Sequence, residues 1–325
     1  MVANPKFTLN QGTAILPNLP PWLGYPGNIW HVKPYSGDDS YSGKSKRKPC
    51  KSVAAALASA TDNNNDVVLL HSEEVSGALT SDLLAATLTW NKSVHLVGVN
   101  SGVSISPRSR ISPVSTYAAA GPTMNVTAGN CYFANLQIIM DVNHATPLGA
   151  LALTGALRCR FDNCHIYGMV YAAGDTTGAY SLLLSNAEEI EFHDCTVGSD
   201  RTVLGANQNS QIKVAATSKN ILFKDSRVRL CSVHGTNTLF MRAPAGSLDG
   251  NIHFQNTQGI NSQSRNVGGA ELTYAFLVAA DAGGDVTLCP NSAFQATDLN
   301  ATDAGNVYVC GVANIGGIMV PALKT

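Results

Sequence analysis

Apolar and polar positions alternate along most of the chain in short bursts, and the bursts recur. Five segments share one pattern: Cys131-Tyr-Phe133-Ala-Asn135-Leu136-Gln-Ile138, Cys159-Arg-Phe161-Asp-Asn163-Cys164-His-Ile166, Ile190-Glu-Phe192-His-Asp194-Cys195-Thr-Val197, Ile221-Leu-Phe223-Lys-Asp225-Ser226-Arg-Val228 and Ile252-His-Phe254-Gln-Asn256-Thr257. The phenylalanines lie 28, 31, 31 and 31 residues apart, a spacing that marks a repeat architecture. Val286-Thr-Leu288 is a weaker copy, and Val94-His-Leu96 an earlier one. Alternation is the strand period, and the change of phase at the Asn or Asp marks a bend between two short strands. Another apolar strand precedes each copy, as in Leu151-Ala-Leu153, Leu182-Leu-Leu184, Ile212-Lys-Val214, Leu239-Phe-Met241 and Phe276-Leu-Val278. Each period therefore holds three short strands.

Stacked coils bury each inward side chain against the same position of the next coil, so one residue type recurs at one register. The predicted inward ladders are Cys131, Cys159, Ile190, Ile221 and Ile252, beside Phe133, Phe161, Phe192, Phe223 and Phe254. The bend column is Asn135, Asn163, Asp194, Asp225 and Asn256, a polar ladder expected to hydrogen-bond turn backbone from coil to coil. On the outside, Arg158 and Arg160 of one coil are expected to face Glu189 and Glu191 of the next.

Ahead of the repeats the chain reads strand, glycine-rich loop, short Ala-rich helix and strand: Trp30 to Val32, Gly37-Asp-Asp-Ser-Tyr-Ser-Gly43, then Val53 to Ala60 and Asp66 to Leu70. The helix would cover the open end of the first coil. This order resembles the opening of pectin-lyase-like right-handed parallel β-helix proteins, and the resemblance spans residues 28–310. It implies an all-β, single-stranded right-handed parallel β-helix with a short N-terminal capping helix. The expected organisation is an extended Pro-rich arm over 1–27, a capping region over 28–90, coils over 91–310 and a tail over 311–325. In the arm, Pro5, Pro17, Pro20, Pro21 and Pro26 forbid a helix or central strand. Its apolar residues, among them Phe7, Leu9, Ile15, Leu16, Trp22, Leu23 and Tyr25, are expected to pack along the chain's own β-helix or to reach another subunit.

Composition sharpens this picture. Only 13% of residues are charged, against roughly 25% in an average domain, so the outer walls are built from small polar residues. The 21 basic and 22 acidic residues give a net charge of -1, which supplies no global attraction for nucleic acid or anionic lipid. No run approaches the ~20 apolar residues of a membrane-spanning helix, and the first residues show neither a basic nor an apolar signal region, so export by a signal peptide is not expected. The eight cysteines lack metal-ligand spacing and read as reduced core thiols.

Candidate chemistry is sparse. A glycan-cleaving β-helix needs paired carboxylates or a calcium-type acidic cluster. The best pair is Asp194 and Asp225 on adjacent coils, yet they share the column of Asn135, Asn163 and Asn256 and read first as turn residues. Asp38 and Asp39 read as loop residues, Asp200-Arg201 as a solvated turn, and His165 and His193 as members of a surface ladder. No cofactor or metal is expected. The low charge, the arm and the lack of a site favour a non-enzymatic virion protein. It resembles a tailed-phage capsid cement or decoration protein that bridges capsid subunits, a homotrimer whose partners are the major capsid protein or another virion protein. Two alternatives act on sugar: a phage tailspike or receptor-binding polysaccharide depolymerase that engages a surface glycan, and a secreted pectin-lyase-like enzyme.

Overall fold

The computed structural model describes residues 27–75, 78–99, 109–117, 120–146, 149–206, 208–232, 237–262, 272–296, 298–300 and 307–309. The arm residues Phe7, Leu9, Ile15, Leu16, Trp22, Leu23 and Tyr25 and the tail 311–325 lie outside the described residues.

Three parallel sheets of ten, eight and eight strands wrap around one core, and from Val67–His71 onward the chain visits them in the same order on each turn. The ten-stranded sheet runs from Ile29–Val32 through Val67–His71, His95–Val99, Tyr132–Ala134, Arg160–Asp162 and Glu188–His193 to Val307–Val309. One residue separates Tyr132–Ala134 from Leu136–Ile139, the strand that enters the second sheet, and that residue is Asn135. The third sheet holds the strands expected ahead of each repeat, such as Leu151–Thr154 and Tyr180–Ser185. This is the expected right-handed parallel β-helix, three strands to a turn.

The predicted register holds residue by residue. Phe133 pairs with Phe161, Phe161 with Phe192, Phe192 with Phe223 and Phe223 with Phe254. Their rings stack at centroid separations of 4.6, 4.9, 4.6 and 5.0 Å, the strand spacing itself. Cys131, Cys159, Ile190, Ile221 and Ile252 lie beside them, all buried.

The bend column has a backbone cause that alternation does not reveal. Asn135, Asn163, Asp194, Asp225 and Asn256 all hold left-handed φ values, between 48° and 56°. Among residues with a Cβ, Asn and Asp enter this region most readily because their short polar side chains satisfy neighbouring backbone. The side chains also ladder: Asn163 Nδ2 donates to Asn135 Oδ1 at 2.8 Å and Asn256 Nδ2 to Asp225 Oδ1 at 2.6 Å.

The helix Val53–Ser59 caps the first turn as expected, burying Val53, Ala56 and Leu57. Ser52 Oγ accepts from Ala55 N–H at its start, and Lys92 Nζ donates to the carbonyls of Leu57, Ala58 and Ala60 at its end. Asp39 ties the opening loop to the helix by accepting from the N–H groups of Lys51 and Ser52, while Asp38 accepts from Ser40 N–H within its turn.

Beneath the helix Asp82, 2% exposed, accepts from Val53 N–H at 3.2 Å. Burial pushes its carboxyl up to about 7. A raised carboxyl contributes fully below its unfolded value near 4 and loses that contribution as pH rises through about 7. Asp82→Asn keeps the acceptor without the charge. It is expected to raise stability at pH 8 by on the order of 1–3 kcal/mol and to change little at pH 4, as read by urea unfolding at the two pH values.

No helix among the described residues is long and apolar enough to cross a membrane. The described cysteines are free thiols, six of them buried.

Candidate functional site on the outer face of the ten-stranded sheet

Strand geometry alternates side chains between core and exterior, so each buried phenylalanine is flanked by two outward residues. Along the sheet these form two columns. One runs Tyr132, Arg160, Glu191, Leu222, and the other Ala134, Asp162, His193, Lys224. In the middle, Arg160 and Asp162 on one strand face Glu191 and His193 on the next, and the four make a square.

Hydrogen bonds join this square to its neighbour strand. Tyr132 Oη donates to Asp162 Oδ2 at 2.9 Å, and Arg160 Nε donates to Asp162 Oδ1 at 2.8 Å. Arg160 also reaches Glu191 Oε2 at 3.6 Å, and His193 Nε2 lies 2.9 Å from the same oxygen. Burial, then the Asp162 charge, pushes the Tyr132 phenol well above its ordinary value, so it stays a donor. Behind it, His95 Nδ1 accepts from Tyr132 N–H at 3.1 Å, so Nε2 donates to Asn65 Oδ1 at 2.6 Å. Burial lowers His95 to about 4 and keeps this tautomer neutral.

Two adjoining open depressions of about 390 and 490 Å³ lie along the Arg160 and Glu191 edge of the square and share Arg158, Arg160 and Glu191. Their outer rim is a second column of left-handed residues: Asn130, Arg158, Glu189 and Asn220, with φ between 51° and 57°. Asn is the ordinary occupant of such a position, whereas Arg and Glu strain it. An ion pair joins Arg158 to Glu189, with side-chain exposures of 66% and 42%. A pair this open to water is too weak to explain two strained residues. The strain places two long charged side chains on the rim of the depressions.

The expected cross-coil facing of Arg158 with Glu189 and Arg160 with Glu191 is therefore present. Arg160, however, bonds more closely to Asp162 on its own strand, because residues two apart project from the same face. Asp194 and Asp225 stay in the bend column. They sit on exposed bends at adjacent rungs, and Asp225 Oδ1 is taken by Asn256. The carboxylates gathered around Arg160 on the outer face of the ten-stranded sheet are Asp162 and Glu191. Asp162 could have been found from its place two residues after Arg160 on the outward face.

Two further expectations are corrected. His165 is buried, not on a surface ladder: its ring packs 4.2 Å from that of Tyr167, and its Nε2 lies 3.1 Å from Gly198 O. Asp200 is no solvated turn: it binds the Arg229 guanidinium and accepts from Ser262 Oγ at 3.0 Å. Among the described residues, no three His, Cys, Asp or Glu side chains are grouped to hold a metal ion.

No known family model matches the chain, and no curated protein matches its sequence. Solved structures do match in fold. Pectin methylesterase PemA from Erwinia chrysanthemi is 14% identical, with 90% of this chain and 92% of that one covered and a TM-score of 0.52. Pectate lyase Pel9A is 14% identical over 89% of this chain and 76% of its own, with a TM-score of 0.51. ORF18 of Geobacillus virus E2 is 11% identical, covering 87% of this chain and 61% of its own, with a TM-score of 0.49. At these identities the likeness establishes the fold, which is the pectin-lyase-like one. It also corrects the expectation of a non-enzymatic protein, since the fold matches include pectin methylesterases and a pectate lyase. That expectation rested on the low charge, the N-terminal arm and the lack of an evident site in the sequence.

Proposed function

We propose that the chain binds and cleaves a polysaccharide laid along the outer face of the ten-stranded sheet, as a tailspike-type depolymerase does. The observation that carries this reading is that Arg160 and Glu191, which line both open depressions, are held in one network with Tyr132, Asp162 and His193.

The two carboxylates differ in what they can do. Asp162, with a side-chain exposure of 22%, is engaged at both oxygens, by Tyr132 and by Arg160, so it acts as a fixed anion that orients the guanidinium. Glu191, 46% exposed, meets His193 and Arg160 through Oε2 alone. It is the group open to a sugar and able to exchange a proton at a glycosidic oxygen. One strand across and two residues along, the backbones of Asp162 and Glu191 stand about 8 Å apart. Polysaccharide-acting enzymes among the fold matches support the substrate class. A homotrimeric capsid cement draws on low charge and an apolar arm, and neither feature accounts for a charged network beside open depressions.

Reducing-end release from a panel of bacterial surface and plant polysaccharides tests the reading. Glu191→Gln, close to isosteric, is expected to lower kcat by about 100-fold or more with KM changed only slightly, the size expected when a proton-transfer group is lost. Activity unchanged in Glu191→Gln, or no cleavage of any polysaccharide, overturns it.

A further inference from the structure

We infer that the basic turn of the opening loop is a second binding surface, one that holds an anionic stretch of polysaccharide away from the two depressions. Residues 33–51 hold six of the 21 basic residues and two of the 22 acidic ones, so the loop carries +4 while the rest of the chain carries -5. Five of the six lie within 44–51, where no acidic residue occurs. Ser45 and Lys48 bridge antiparallel, and Lys48 N–H donates to Ser45 O at 3.2 Å, which sets Lys46 and Arg47 at the tip of a tight turn. The turn is fixed to the sheet edge: His31 N–H donates to Gly43 O at 2.7 Å and Cys50 N–H to His31 O at 2.9 Å.

Lys44, Lys46, Arg47, Lys48 and Lys51 are exposed, and among the described residues none of the loop's six basic side chains pairs with a carboxylate. The neighbouring carboxylates hold the loop's shape instead. Asp38 accepts from Ser40 N–H, Asp39 from the N–H groups of Lys51 and Ser52, and Glu73 from those of Tyr35 and Ser36. Lys33 and Lys46 stand close enough to His31 and His71 to help keep both neutral. A rigid turn of like charges repels itself, and an anion laid across it relieves that repulsion without any cost of ordering the loop.

Two observations favour a sugar polymer as the anion. Among the described residues the exposed aromatic side chains, Tyr35 at 64% and Tyr41 at 43%, both belong to this loop, and a flat exposed ring packs against the C–H face of a sugar. The loop also leaves the ten-stranded sheet on its outer side, where His31 and then Lys33 alternate with the core residues Trp30 and Val32. Strand Ile29–Val32 stands four strand steps from Arg160–Asp162, about 19 Å, so one extended chain is long enough to engage both places. The assignment of a sugar rests on the polysaccharide reading of that face, whereas the cationic surface does not.

The test measures binding of the full chain to hyaluronate and alginate, which are anionic, to neutral dextran and to a short single-stranded DNA, at low salt and near about 150 mM NaCl. Binding to an anionic polysaccharide that weakens with salt is expected, with dextran bound far less. Lys46→Glu combined with Arg47→Glu is expected to lower that affinity roughly tenfold or more at low salt, and Lys46→Gln combined with Arg47→Gln to lower it less. Both side chains lie at an exposed turn, so thermal unfolding of the variants is expected to match the parent. No binding to either anionic polysaccharide at low salt, an affinity unmoved by the double substitution, or tighter binding of DNA than of both polysaccharides overturns the inference. Cleavage of a polysaccharide whose binding ignores the substitutions overturns this inference alone; substitution-sensitive binding by a protein that cleaves nothing supports it and overturns the cleavage reading alone.

Discussion

Phe192→Ala is expected to destabilise the protein by about 3–5 kcal/mol. Phe192 is fully buried at the centre of the five-ring stack, 4.9 Å from Phe161 and 4.6 Å from Phe223. Truncation removes its own burial and strips one face from each neighbouring ring, and aromatic pairs contribute about 0.5–1.5 kcal/mol beyond area. Collapse cannot fill the gap, because the rungs above and below are fixed by backbone hydrogen bonds at the strand spacing. Equilibrium urea unfolding of Phe192→Ala and Phe192→Leu checks this, with the leucine variant expected to lose much less. A loss below about 1 kcal/mol for alanine would mean the stack is not a packed core.

Stability is also expected to fall as pH drops from about 6.5 to about 4. His31, His71, His95 and His165 are each lowered from 6.5 to about 4, with burial the largest cause in every case. His31 Nδ1 lies 3.0 Å from His71 Nε2, which leaves room for one proton between them; Lys33 and Lys46 add repulsion and Glu73 opposes it. His165 is flanked by Arg110, Arg229 and Asp200. Because the folded values are depressed, the unfolded chain takes up protons first. The stabilising contribution is complete above about 6.5 and lost as pH falls through about 4. Each group contributes at most about 3 kcal/mol, and the His31 and His71 protonations are coupled, so the total lost is on the order of several kcal/mol. Asp82 works in the opposite sense over 4 to 7 and offsets part of it. Unfolding midpoints measured between pH 4 and 8 test the sign. His95→Gln is expected to flatten the acid limb; an unchanged acid limb in that variant contradicts the assignment.

Much of the fold was legible because a β-helix repeats one burial problem. Phe161, Phe192 and Phe223 meet the same environment, so the same residue solves it, and spacing alone yields the register. The helix Val53–Ser59 was legible from its alanines and its place before the first coil. The reason for Asn163 or Asp194 at the bends was not, because a left-handed φ leaves no mark on periodicity. The site was harder still. Arg160 and Glu191 could be paired across the repeat, but Asp162 shares its register with Ala134 and His193, so no recurring residue type announces it. Tyr132 joins Asp162 diagonally between strands, a contact that exists only once the coils are stacked. His165 was misplaced because its burial comes from side-chain and backbone contacts on the outer face, the Tyr167 ring and Gly198 O, which strand alternation does not encode.

The location of a bound oligosaccharide tests most directly whether the outer face of the ten-stranded sheet is the working surface. A structure of the Glu191→Gln protein with a fragment of a cleaved polysaccharide is expected to show the sugar chain across the two depressions, in contact with Tyr132, Arg160 and residue 191. Sugar seated on either eight-stranded sheet, with that face left bare, would contradict it.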